Sequence, residues 1–138
     1  AGTVEGARVL DGFGGTAAVA IEAISRGAAR ATIYETSPKA LKVARQNLEA
    51  VGVAGRCTVI RGDFLRAAGR ADFDLVFLDP PYDIASLDDV VAAGTAHVAP
   101  GGLLVLEHRR ARPGPAEAGG LRRVRVLEAG DSALSFYR

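Results

Sequence analysis

The stretch Leu75-Val76-Phe77-Leu78-Asp79-Pro80-Pro81-Tyr82 decides the fold class. Its first four residues are a continuous apolar run, which is typical of a central strand buried on both faces of a parallel sheet. Two prolines then end the strand, because each fixes its own φ and lacks a backbone N–H. The stretch therefore predicts an α/β domain whose ligands bind at the carboxyl ends of the strands.

The rest of the chain alternates short β-rich runs with longer helical stretches, which predicts a parallel sheet covered by helices. The predicted strands are 9–10, 31–34, 58–60, 75–78 and 103–106, and the predicted helices are 16–26, 38–51 and 87–96. A turn is expected at 100–102, a loop at 111–120, and a closing hairpin from 121–128 and 133–137. These elements predict a doubly wound, mostly parallel seven-stranded sheet with a C-terminal antiparallel hairpin, in a single domain over residues 1–138.

Composition excludes several classes of protein. The chain has 138 residues, with 49% hydrophobic and 24% charged side chains, which is globular rather than disordered. No run approaches the roughly 20 apolar residues of a membrane span, and no secretory signal opens the chain. The single cysteine, Cys57, excludes an intramolecular disulfide framework, and His97 and His108 lack metal-ligand spacing, so no metal is predicted. We expect a cytoplasmic protein.

Three acidic residues, Asp11, Glu35 and Asp63, fall at or just after the ends of the first three predicted strands. Parallel strands end at one edge of a sheet, so these side chains are expected on one rim. Glu35 follows Gly15 by 20 residues, the spacing at which an acidic side chain receives a ribose hydroxyl pair in βαβ nucleotide sites. Asp63 can accept from an adenine amino group, with Phe64 beside the ring.

The glycine cluster 12–15 lets the backbone turn sharply after Asp11 and approach a ligand closely. A dinucleotide dehydrogenase would use the same rim, but the cluster does not spell G-x-G-x-x-G, and no phosphate-binding G-x-x-x-x-G-K stretch exists. An aspartate before the loop favours a ligand with a positively charged amino acid end over a pyrophosphate. The rim is therefore predicted to hold a nucleoside with an amino acid tail.

The tetrad Asp79-Pro80-Pro81-Tyr82 predicts chemistry on an amine. An exocyclic amine has two N–H donors, which the Asp79 carboxylate and the Pro80 carbonyl can receive, so that the nitrogen lone pair faces an electrophilic methyl group. Tyr82 offers a flat face to a base that has left its stack. The tetrad is expected to raise the reaction rate mainly by aligning the reacting atoms. We predict that the catalytic residues are Asp79, Pro80, Pro81 and Tyr82.

A local basic patch lies on a chain whose net charge is only +1. Such a patch can contact phosphates without making the whole surface attract nucleic acid. Its predicted RNA-binding residues are Arg109, Arg110, Arg112, Arg122 and Arg123, with Arg125 close by.

Three segments, 9–11, 21–28 and 73–82, resemble the RsmD-type methyltransferases, and 100–102 and 130–137 also fit that family. The resemblance covers nearly the whole chain. It implies a class I, Rossmann-like fold and methyl transfer from S-adenosylmethionine to the exocyclic N2 of a guanine in bacterial 16S ribosomal RNA. The implied partner is 16S rRNA or a small-subunit assembly intermediate, and the chain is expected to act as a monomer.

The resemblance also assigns the rim to the cofactor. The residues expected to hold S-adenosylmethionine are Asp11, Phe13, Gly14, Gly15, Glu35, Thr36, Asp63 and Phe64. The family usually begins with a basic segment, which we expect to be missing or truncated before the first strand.

Two alternatives stay open. A DNA adenine-N6 methyltransferase would use the same tetrad, although 138 residues leave no room for a separate DNA-reading domain. A non-catalytic module would keep the scaffold and bind a partner. It draws support from Ala17, which stands where the family usually has a glycine, and from the expected absence of the N-terminal basic segment.

Overall fold

The computed structural model describes residues 4–138, which divide into two compact units, the first ending at Ala67 and the second beginning at Ala68. The described residues form three helices and eight strands. Residues 1–3, at the start of the segment expected to be truncated, lie outside the described part. The single domain over residues 1–138 stays a prediction.

The first unit is built from three parallel strands in the order β3-β2-β1. Its elements, in chain order, are β1 (Arg8–Asp11), α1 (Ala18–Ser25), β2 (Arg30–Glu35), α2 (Pro38–Ala50) and β3 (Cys57–Arg61). Short 3-10 turns at Ala54–Arg56 and Phe64–Arg66 flank β3. This is the predicted alternation of strands and helices, and each strand extends one residue further at both ends than predicted.

Local sequence sets the limits of α2. The Ser37 side chain accepts a hydrogen bond from the Ala40 N–H at 3.2 Å, and Pro38 occupies the first helical position, at the predicted start of the helix. Gly52, at φ +76°, takes the left-handed conformation that ends the helix. The buried face of α2 carries Leu41, Ala44 and Leu48.

The second unit has the strand order β4-β5-β8-β7-β6. Its elements are β4 (Phe73–Leu78), α3 (Leu87–Thr95), β5 (Val98–Arg109), β6 (Glu117–Ala118), β7 (Leu121–Ala129) and β8 (Ser132–Tyr137). β4 and β5 are parallel, and the remaining pairs are antiparallel. The closing hairpin through Gly130 and Asp131 is confirmed as β7 and β8.

Helix α3 packs on one face of the β4–β5 pair. A Cβ at Gly94 would lie 2.7 Å from the Leu78 and Leu104 side chains, so only glycine lets the helix come this close. Leu78, Leu104 and Leu106 are fully buried. Because side chains alternate along a strand, the residues next to them point to the opposite face.

Two sequence predictions need correction in this unit. The seven-stranded count is wrong, because Glu117–Ala118 inside the predicted loop pairs with β7 and gives eight strands. The expected turn at 100–102 does not precede the fifth strand but lies inside β5. There the pairing with β4 passes from Phe73↔Val98 to Leu75↔Leu103, and Gly101, at φ +78°, lets the extra residues bulge.

Within residues 4–138, none of the helices combines the length and the apolar character that crossing a bilayer requires.

Candidate active site

The predicted acidic rim begins at the ends of two neighbouring strands. Asp11 is the last residue of β1 and Glu35 the last residue of β2, and these strands are parallel and paired. Asp63 follows β3 by two residues, at the start of the short turn Phe64–Arg66. The structure therefore brings the three carboxylates to the carboxyl edge of the first unit's sheet, as the sequence predicted.

The glycine loop is pressed against β2. The Gly14 N–H donates to the Tyr34 carbonyl at 2.8 Å, and a Cβ at Gly14 would overlap Ile33 Cγ2. Ile33 is fully buried, so it has little room to give way. Glycine at position 14 is thus a steric requirement of the close approach between loop and strand. Ala17, at φ +73°, continues the loop into α1 in a left-handed conformation that is unusual for a residue with a Cβ.

Glu35 ties the loop to the strand end. Its Oε1 accepts from the Gly15 N–H at 2.9 Å, across the 20-residue spacing seen in the sequence, and its Oε2 accepts from Thr36 N and Ser37 N, both at 2.9 Å. An ionised carboxylate has about four acceptor positions. Three backbone N–H groups therefore hold the Glu35 carboxylate in a fixed orientation and leave room for a hydroxyl donor.

Asp11 sits deep at the start of the loop. It is only 3% exposed, and its Oδ1 accepts from the Phe13 N–H at 3.1 Å. A carboxylate at this position beside the glycine turn can pair with a cationic group of a ligand.

Asp63 and Phe64 have different environments. Asp63 is exposed and caps the short turn by accepting from the Leu65 N–H at 2.9 Å. Phe64 is 1% exposed, and its ring lies 6.0 Å from the Phe13 ring and 5.8 Å from the Tyr34 ring. Phe64 thus belongs to an aromatic cluster, and Tyr34, which the sequence analysis did not select, is part of the same cluster.

The tetrad of the second unit directly follows β4. Partial burial, and then repulsion from the Glu107 carboxylate, raise the pKa of Asp79 from 3.8 to about 6. The Pro81 carbonyl accepts from the Ile84 N–H at 3.0 Å, whereas no hydrogen bond among the described residues engages the Pro80 carbonyl. The carboxylate of the exposed Asp79 and the carbonyl of the buried Pro80 are thus two oxygen acceptors on adjacent residues at the end of a buried strand.

Tyr82 is a supported but exposed ring. It is 58% exposed, and the Arg109 guanidinium carbon lies 4.3 Å from the ring centroid, within cation–π range. Arg112 donates to the Tyr82 carbonyl at 3.3 Å and to the Ala85 carbonyl at 3.2 Å. The backbone of the loop is therefore held from the segment after β5, while the ring stays accessible.

A cavity of about 730 Å³ adjoins this ring. Its lining residues come from the tetrad, the end of β5 and the β7–β8 hairpin: Tyr82, Arg109, Arg110, Ala111, Glu128 and Asp131. The volume is in the range that small-molecule and nucleotide ligands occupy.

The five predicted RNA-binding arginines do not form one equivalent patch. Arg112 is engaged by the carbonyls of the tetrad loop, and Arg123 donates to the Gly114 carbonyl at 3.0 Å. Arg110 forms an ion pair with Glu128 at 2.7 Å. Arg122 is exposed, and its ion pair with Glu117 is long, at 3.9 Å. Arg122 is therefore the most available for phosphate contacts, and Arg109, whose guanidinium lies over the Tyr82 ring, makes no hydrogen bond or ion pair with its side chain among the described residues.

Two further residues near the tetrad were not selected from the sequence as site residues. His108 is buried, with Nδ1 2.7 Å and 2.9 Å from the carbonyls of Arg109 and Arg112 and Nε2 2.8 Å from Ser135 Oγ. Two carbonyls can only accept, so Nδ1 carries the proton, and His108 is a structural residue. Glu107 precedes it and lines a small cavity with Pro80, Pro81 and Tyr82.

His97 follows α3 and is only 3% exposed. Among residues 4–138, no group of His, Cys, Asp and Glu side chains is arranged to hold a metal ion.

Comparisons with known proteins identify the family of this chain. A family profile described as Conserved hypothetical protein 95 matches residues 1–138. A Bacillus subtilis (strain 168) protein named "Putative rRNA methyltransferase YlbH" is 29% identical over 97% of this chain and 77% of its own length. A Buchnera aphidicola protein named "Ribosomal RNA small subunit methyltransferase D" is 32% identical over 57% of this chain and 42% of its own.

A solved structure confirms the fold class. The S-adenosylmethionine-dependent methyltransferase from Mesorhizobium loti superposes with a TM-score of 0.80, covering 100% of this chain and 93% of that protein at 17% identity. The chain therefore has the doubly wound, Rossmann-like fold of class I methyltransferases, as predicted.

Proposed function

This chain belongs to the Conserved hypothetical protein 95 family, which is the RsmD family of methyltransferases, and we propose that it methylates the exocyclic N2 of a guanine in bacterial 16S ribosomal RNA. The methyl donor is S-adenosylmethionine. The observation that carries the proposal is the pair of oxygen acceptors, the Asp79 carboxylate and the Pro80 carbonyl, beside the exposed Tyr82 ring.

The first unit fits the donor. The Glu35 carboxylate is pre-oriented by Gly15 and has room for a ribose hydroxyl, and the buried Asp11 carboxylate suits the donor's ammonium group. Gly14 lets the loop backbone lie close to β2. Thr36, Asp63 and the ring cluster of Phe13 and Phe64 would complete the donor site. When bound, the donor supplies a methyl group on a positively charged sulfur, which is open to attack by a nitrogen lone pair.

The second unit prepares the nitrogen. Asp79 and the Pro80 carbonyl accept the two N–H bonds of the amine, while Tyr82 stacks the base that carries it. With the donor bound, the nitrogen lone pair would form the new N–C bond, and the electrons of the broken C–S bond would remain on sulfur. The alkylated nitrogen then releases one proton, which the Asp79 carboxylate can accept and pass to water. Alignment of the two reactants accounts for most of the rate gain.

RNA docking is assigned to the exposed arginines. Arg109 and Arg122 contact phosphates, and Arg110 does so in exchange with Glu128. Arg112 holds the tetrad loop, and Arg123 holds the loop at Gly114. We place the reaction in the cytoplasm, on a small-subunit assembly intermediate, with the chain acting as a monomer.

The test is transfer of labelled methyl groups from S-adenosylmethionine to unmethylated small ribosomal subunits, to naked 16S rRNA and to duplex DNA. Digestion of the labelled RNA to nucleosides should yield N2-methylguanosine. Recovery of N6-methyladenosine from DNA would favour the adenine alternative, and label in the protein fraction of the subunits would contradict an RNA acceptor. A chain that binds no donor in a titration would instead be a non-catalytic module.

A further inference from the structure

Glu107 lies next to the tetrad, although Asp79 and Pro80 alone accept both N–H groups of the amine. Leu78 of β4 pairs with Leu106 of β5 in the parallel register, so the next residues along, Asp79 and Glu107, are neighbours at the carboxyl ends of the two strands. Leu78 and Leu106 are both buried against the α3 face. Alternation therefore turns both carboxylates to the opposite face.

Glu107 lines a narrow cleft, of about 10 Å³, together with three of the four tetrad residues. The small cavity beside the end of β5 is lined by Pro80, Pro81 and Tyr82 from the tetrad, and by Glu107 and Arg109 from β5. No hydrogen bond or ion pair among the described residues engages the Glu107 carboxylate, although Arg109 and Arg112 line the same cavity. The Arg109 guanidinium instead lies over the Tyr82 ring, and the Arg112 guanidinium donates to backbone carbonyls.

Two neighbouring carboxylates repel each other, and the repulsion is visible as one of the causes of the raised pKa of Asp79. Repulsion of this kind is relieved when a ligand supplies donors to both groups. One amine offers N–H bonds to Asp79 and Pro80, so a second donor is needed for Glu107.

We propose that Glu107 is the residue that selects guanine over adenine, by accepting the ring N1–H that lies next to the 2-amino group. This inference rests on the proposed function of the same site. Guanine presents the N1–H and the exocyclic N–H donors side by side on its Watson–Crick edge, which matches two adjacent carboxylates. Adenine presents a bare N1 acceptor beside its amine, and a carboxylate facing that acceptor is repelled. Asp79 and Pro80 recognise an amine, and Glu107 recognises the base that carries it.

The experiment compares two acceptors that share the 2-amino group. The methylated nucleotide is first mapped by mass spectrometry with the unaltered chain, and RNA is then prepared with guanine or 2-aminopurine at that position. Because 2-aminopurine lacks the N1–H, the unaltered chain should methylate guanine with a kcat/KM about 10- to 100-fold higher, the range expected for a hydrogen bond to a charged group.

Glu107→Ala should bring the two values within about threefold of each other, mainly by slowing transfer to guanine, with donor affinity unchanged. Glu107→Gln should raise transfer to 2-aminopurine above that of the alanine variant, because an amide N–H can donate to N1. Glu49→Gln, an exposed carboxylate on α2, is the matched control and should keep the selectivity of the unaltered chain. Thermal melting of each variant verifies that it is folded.

The outcomes separate the two claims. If the unaltered chain methylates no guanine, the proposed function fails. If it methylates guanine and Glu107→Ala keeps the full preference over 2-aminopurine, the proposed function stands and the role of Glu107 is refuted.

Discussion

Replacing Gly14 by alanine tests the geometry on which the donor site depends. The added Cβ would overlap Ile33 Cγ2, and Ile33 is fully buried in β2, so either the core or the loop must move. Overpacking of this kind costs about 1–3 kcal/mol. With an unfolding entropy of about 2.1 cal/mol/K per residue over 138 residues, the melting temperature should fall by about 3–10 °C.

The assay is thermal melting by circular dichroism, paired with calorimetric titration of S-adenosylmethionine. Gly55→Ala is the matched control, because a Cβ there meets nothing within 4 Å and φ is not in the left-handed region. Ile33→Leu removes the methyl group from Cβ and conserves volume, so Gly14→Ala should cost clearly less in that background. Donor affinity should fall about 10-fold in Gly14→Ala alone. A Gly14→Ala variant that melts and binds the donor like Gly55→Ala would refute the close approach of loop and strand.

Further predictions concern the second unit. In the unaltered chain, kcat/KM should fall as the pH drops through about 6, because the raised pKa of Asp79 means that its carboxylate is protonated at a higher pH than usual. Glu107→Gln removes one cause of that shift, so a pH–rate profile should show the acid limb moved to lower pH; an unmoved limb would contradict the coupling. Arg112→Ala frees the Tyr82 and Ala85 carbonyls and should raise KM for RNA several-fold with kcat less affected, whereas equal loss in both parameters would contradict a supporting role. Arg122→Ala should lower the slope of log affinity against log salt by about 0.7–0.9, measured by filter binding, and an unchanged slope would exclude a phosphate contact.

Much of the first unit could be predicted from the sequence because its signals are local. Ser37 and Pro38 mark the start of α2 through the geometry of the first turn alone, and the structure confirms this start. The spacing between Gly15 and Glu35 also proved structural, since it corresponds to a direct hydrogen bond between the two residues.

The second unit was harder because its decisive features are not local. A carboxylate after an apolar strand does not reveal from the sequence alone which residue it will lie beside. The position of Glu107 next to Asp79 follows only from the strand register, which pairs Leu78 with Leu106. That register depends on the bulge inside β5, which the sequence analysis placed outside the strand. Likewise, the number of arginines in the sequence does not reveal that the side chains of Arg112 and Arg123 donate hydrogen bonds to backbone carbonyls.

The central claim is that Asp79 orients an amine for methyl transfer and does not hold the donor. The most direct measurement is transfer of labelled methyl groups to unmethylated small subunits by Asp79→Ala, beside a donor titration of the same protein. We predict that transfer is abolished while the Kd for S-adenosylmethionine stays within about twofold of the unaltered chain. Retained transfer, or a loss of donor binding that accompanies the loss of transfer, would contradict the claim.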